Sequence, residues 1–246
     1  FPVQPGDAVR AQMALMDWGR GRYRVDVDYF KVDVVEVAQV GPDLGAQVPY
    51  HPPIPEAATF KHAIPATEGA VIDFAHPDVN LGAWSAHEGN EKLRVLTVSG
   101  TTWVILRWDL EAFAGQRAAD HGLLELTTHS VQRNADPVKD FGLLRVVEIL
   151  DGEPEWRRAK VSADRLLRGE ACDEVFNPQM IIDRPANETA GGKTWLTISQ
   201  AVLQRLIDGK TLGIAITPLG SINASFEAAG ADAPRLLFNT EEKRGE

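Results

Sequence analysis

The sequence predicts an all-β protein: a jelly-roll-like β-sandwich with one or two short helices, preceded by an N-terminal β-hairpin. Three observations predict it. Twenty-one Gly and 15 Pro punctuate many short apolar runs, the spacing of strands and turns rather than of helices. Several runs alternate apolar and polar residues, the period of a strand with one buried face. Helical periodicity is confined to two brief segments.

Composition narrows the class. The 246 residues fit one or two domains. With 44% hydrophobic and 24% charged residues the chain has the make-up of a folded protein. Its net charge of −10 argues against nucleic acid as a partner, because a polyanion needs a basic footprint. One cysteine, Cys172, rules out an intramolecular disulfide framework and a Cys-rich zinc site. No apolar run approaches the roughly 20 residues that span a bilayer. The chain starts at Phe1 without a visible leader, so a removed leader or a piece of a larger protein is expected.

The elements follow in order. Ala8–Met16, a turn at 17–21 and Arg22–Val37 read as a hairpin over residues 1–38. In its second strand the apolar parity passes from Tyr23, Val25, Val27 and Tyr29 to Phe30, Val32 and Val34, as a β-bulge would cause. Residues 39–65 read as a linker, because Pro49, Pro52, Pro53 and Pro55 crowd one short stretch. Residues 66–246 read as the sandwich. Its strands are expected at 70–74, 93–98, 102–110, 123–131, 143–150, 194–199, 212–218, 222–227 and 235–239. Ser162 opens one short helix, which ends before Gly169. Ser199–Asp208 forms the other, with Val202, Leu203, Leu206 and Ile207 on one face and Gly209 as its stop.

From about residue 69 to 240 the order of segments resembles a known family. A strand leads into His76-Pro77-Asp78-Val79-Asn80-Leu81-Gly82, like an Asn-Pro-x-x-Asn-aromatic-Gly loop. Leu93-Arg94-Val95, the strand Thr102–Leu110, Gly122–Leu126, Trp156, the helix Ser199–Gly209 and Pro234–Phe238 follow in the family's order. The set resembles the DNRLRE-type or disaggregatase-related domain, counted as carbohydrate-binding module family 96. The loop departs from it with Leu81 in place of an aromatic residue, and Cys172–Asn187 reads as an enlarged insertion. The resemblance implies a β-sandwich that binds an extracellular polysaccharide, an acidic one being among the expected ligands. It further implies an accessory module of a secreted or cell-surface protein with other domains. The hairpin lies outside it; Val27–Val32 resembles the closing strand of concanavalin-like sandwiches.

Sugar binding needs aromatic faces for C–H stacking beside fixed polar groups. Trp84 and Trp18 sit in Gly-flanked loops and are the candidate platforms; Trp108 has core parity. Arg94 and Arg107 have outward parity, and side by side they would grip carboxylates or sulfates bidentately. The plainer alternative is a face of surface ion pairs. Asp73, Asp78 and Asn80, with Glu88 nearby, form the densest oxygen cluster for a structural Ca²⁺, although turn formation explains them equally well.

No Gly-x-Ser-x-Gly elbow or P-loop is present. Cys172 lies among Glu170, Asp173 and Glu174, neighbours that disfavour a reactive thiolate. The expected function is therefore a non-catalytic polysaccharide-binding module. A glycan lyase or hydrolase domain and a structural spacer stand as alternatives.

Overall fold

All nine strands expected beyond residue 66 form, and five shorter ones join them. A computed structural model describes residues 56–84, 95–133, 142–177 and 183–242. The chain divides into two units, Phe1–Pro52 and Pro53–Glu246, and the described residues all lie in the second. The expected hairpin, and the linker as far as residue 55, fall outside them.

The strands begin with β1 (His62–Pro65) and β2 (Glu68–Asp73), then the single-turn helix α1 (Leu81–Trp84). Next come β3 (Val95–Ser99), β4 (Thr102–Arg107), β5 (Gln116–Ala118), β6 (Gly122–Arg133) and β7 (Gly142–Ile149). Helices α2 (Ala163–Leu167) and α3 (Cys172–Val175) precede β8 (Phe176–Asn177), β9 (Asp183–Arg184) and β10 (Lys193–Ile198). Helix α4 (Gln200–Ile207) leads to β11 (Gly213–Gly220), β12 (Ile222–Glu227), β13 (Arg235–Phe238) and β14 (Thr240–Glu242).

Every pairing among the described strands is antiparallel. One layer is built around β6, whose first half pairs with β10 and β13 and whose second half pairs with β12. β1 flanks β13, and β3 flanks β12. The other layer runs β2–β4–β11–β7, with β8 and β9 beside β7. The layers meet at the β3–β4 corner, where Ser99 pairs with Thr102. Between them lies one core: Leu96, Val98, Val104, Leu106, Leu124, Leu126, Val146, Ile214, Ile216, Phe226 and Phe238 are all buried in it. Trp108 joins this core, as its parity predicted.

Two findings correct the sequence picture. The linker does not run to residue 65, because His62–Pro65 is a strand paired with β13. β13 is the only described strand that β1 pairs with, and an outermost strand tolerates the missing N–H of Pro65. The sandwich also carries a third layer. Ala70, Ile72, Ile105, Val147, Ile149 and Ala215 on the outer face of the second sheet are covered by Trp156, Val161, Ala163, Leu166, Val175 and Phe176. Burial on both faces explains why Val104-Ile105-Leu106 is a continuous apolar run rather than an alternating one.

The two expected helices form with their caps. Ser162 Oγ accepts the Arg165 amide at the start of α2, and Ser199 Oγ accepts that of Val202 at the start of α4. Gly209 follows α4 at φ +66°, a left-handed conformation that glycine adopts without a Cβ clash. The helices α1 and α3, one turn each, were not expected. No described helix is long and apolar enough to cross a membrane.

Candidate functional site

Two places hold the described candidate residues, and a third place holds none of them. The first is the loop after β2. Asp73 Oδ1 accepts the Ala75 amide at 2.8 Å, and its Oδ2 lies 2.9 Å from His76 Nδ1. The Asn80 amide nitrogen donates to the carbonyl of Arg158 at 3.0 Å and to that of Val161. The Asp164 amide donates to the Pro77 carbonyl at 2.9 Å. Gly82 fits because a Cβ there would stand 2.0 Å from the Arg158 carbonyl oxygen. Asn80 and Gly82 thus fasten the loop to the segment covering the outer core. Asp78 is exposed. Among the described residues no three His, Cys, Asp or Glu side chains gather as a metal site requires.

Burial disfavours the Asp73 carboxylate, but hydrogen bonds from His76, Ala75 and Thr101 outweigh it and hold its pKa below the ordinary value. A folded-state pKa below the unfolded one gives stability that is present at neutral pH and lost as pH falls through the folded value. Following the Ala75 amide by NMR during acid titration should show this loop loosening, and Asp73→Asn should remove that transition. An Ala75 resonance that titrates identically in Asp73→Asn would contradict the assignment.

The second place is the Arg107 corner. Arg107 Nη1 donates to the Pro154 carbonyl at 2.8 Å, and its guanidinium lies 5.1 Å from the Trp156 ring centroid. Its cross-strand neighbour is Glu68, which pairs with Arg157 at 3.5 Å. Desolvation, aided by Arg157, lowers the Arg107 pKa against the pull of Glu155 and Glu68. The guanidinium is engaged in packing and does not stand on a bare charged strip. Trp18 and Arg94 lie outside the described residues, as does the side chain of Trp84, whose backbone belongs to α1. Of the four expected ligand residues, Arg107 alone has a described side chain.

The third place was not anticipated. Ser99, Gly100, Gln132, Gly220, Ser221, Ile222 and Asn223 line an open cleft of about 400 Å³. In register, Ser99 of β3 faces Asn223 of β12, which faces Gln132 of β6. Two residues along, Thr97, Ser225 and Ser130 form a second row. A bulge makes this grid possible. Phe226 pairs with Thr128 but Ser225 pairs with Ser130, so His129 is extra. Leu124 and Leu126 point inward before it, and Val131 packs on the core after it, which turns Ser130 and Gln132 outward. Sequence alternation alone missed the cleft because its rows cross three strands distant in the chain.

The remaining perturbed groups have local explanations. Desolvation and Asp173 raise the pKa of the exposed Cys172. The hydrogen bond to Glu148 raises that of Arg205. Hydrogen bonds from His121 lower that of Asp120. None of these groups lines the polar cleft. No protein-family model matches the chain, and no curated protein matches it.

Proposed function

We propose that this chain contains a non-catalytic polysaccharide-binding module belonging to a larger secreted or cell-surface glycan-active protein. The carrying observation is the open cleft lined by Ser99, Asn223 and Gln132 of β3, β12 and β6, with a second register row of hydroxyls, Thr97, Ser225 and Ser130, next to it. Sugar hydroxyls both donate and accept, and Asn, Gln and Ser answer both roles. The resemblance to the DNRLRE-type domain supports the same reading. Its ordered strands and its loop ending in Asn80-Leu81-Gly82 correspond to elements with clear structural duties here.

Affinity electrophoresis against a panel of neutral and acidic polysaccharides tests the proposal, with the recovered glycans checked for length. Retardation with intact glycan is the expected result. Shortened glycan would replace this reading with a lyase or hydrolase, and neither retardation nor shortening would replace it with a structural spacer.

A further inference from the structure

Resting on that reading, we infer that the cleft between Ser99 and Gln132 is the binding site and that its ligand is an uncharged glycan rather than an acidic one. Every described residue lining it is uncharged: Ser99, Gly100, Gln132, Gly220, Ser221, Ile222 and Asn223. An anionic polysaccharide requires cations at its carboxylates or sulfates, ideally a bidentate Arg. Arg107, the one described residue among the candidates for such a grip, is instead bonded to Pro154 and stacked on Trp156. The net charge of −10 further repels a polyanion.

The geometry suits a string of hydroxyls. Asn223 and Gln132 are exposed cross-strand partners. Ser99 Oγ bonds Thr102 Oγ1 at 2.8 Å, and Thr97 Oγ1 bonds Ser225 Oγ at 2.9 Å. These contacts orient the hydroxyls while leaving each oxygen further hydrogen-bonding capacity. The row Ser99–Asn223–Gln132 crosses three strands, roughly 10 Å, which is the length of about two pyranose rings. Gly100 and Gly220 are exposed and keep the mouth of the cleft low. Among the described lining residues there is no aromatic ring, so binding rests on hydrogen bonds. It is expected to be weak and insensitive to ionic strength.

The test uses the full chain with a soluble neutral glucan, xylan and mannan, and with a polyuronate and a sulfated polysaccharide. Binding is read by affinity electrophoresis at low and high salt. Asn223→Ala and Gln132→Ala alter exposed side chains, and unchanged thermal unfolding confirms that each variant folds. A neutral glycan should be bound at both salt concentrations, and each variant should weaken binding about fivefold, as expected for losing one or two hydrogen bonds. Neutral-glycan binding that both variants leave unchanged would overturn the cleft assignment while leaving the polysaccharide-binding reading intact. Binding of the acidic polymers alone, abolished by salt, would overturn the ligand class. Binding of none would overturn the reading itself.

Discussion

Arg205→Leu is expected to destabilise the sandwich by about 3–5 kcal/mol, because it leaves a buried carboxylate without its counter-charge. Glu148 lies on β7 with its side chain 1% exposed. Arg205 on α4 reaches it with Nε and Nη2, each 2.7 Å from a different carboxylate oxygen, a bidentate pair. Asn177 Nδ2 adds a longer bond of 3.3 Å to the same carboxylate, so some compensation survives in the variant. That places the expected loss in the lower half of the range. For a domain of this size it lowers Tm by roughly 6–16 °C. Replacing both partners, Glu148→Leu with Arg205→Leu, should recover most of the loss, since the paired charges contribute little net stability once both are gone. Thermal and urea unfolding of the two single variants and the double variant measure the coupling. A loss below about 1 kcal/mol in Arg205→Leu would place the pair among weak surface bridges instead.

This pair shows where the sequence was legible and where it was not. The helix around Arg205 could be read at once: Ser199 caps it, Gly209 stops it, and Val202, Leu203, Leu206 and Ile207 are buried on one face. Its ion pair could not, because the partner lies 57 positions earlier on a strand that is apolar apart from Glu148 itself and Arg145. Local signals of alternation, capping and turn chemistry fix elements. They do not say which element lies beside which. The same limit explains the polar cleft. Asn223, Gln132 and Ser99 meet only through the β3–β12–β6 pairing, and the bulge at His129 sets which face Gln132 joins.

The described candidate residues Arg107, Asp73 and Asn80 show a different limit. Outward parity was right for Arg107 in that it does not enter the main core. Yet the outer face of its sheet is not a solvent face. The region from Asp151 to Asn177 was read as turns, a helix and an insertion, but its apolar residues are too widely spaced to announce a layer. Doubly buried runs such as Val104-Ile105-Leu106 and Ile214-Ala215-Ile216 were the hint that the sheet is covered on both sides. Asp73 and Asn80 were conspicuous for their oxygens, whereas Asn80 acts through its amide nitrogen and Asp73 closes a turn.

Trp156→Ala should show how far the covering layer is a separable unit. The ring is 1% exposed and is the largest side chain in the outer core. Its Nε1 donates to the Leu212 carbonyl at 3.4 Å, and Arg107 lies over its face. Truncation removes the packing of a large aromatic and leaves a cavity, a loss of about 3–5 kcal/mol. The cation–π contact adds about 0.5–1 kcal/mol to that figure. The cavity opens beneath the covering segment rather than between the sheets. Hydrogen exchange should therefore accelerate first at Glu153, Val161 and Leu166, whose amides bond within the cover. Amides of the β6–β10 ladder, in the opposite layer, should keep their protection longer. Uniform acceleration across both layers would show instead that the cover and the sandwich unfold as one unit. Glycan binding at the Asn223 cleft should persist in the variant wherever the sandwich remains folded. None of the described residues lining that cleft belongs to the outer core.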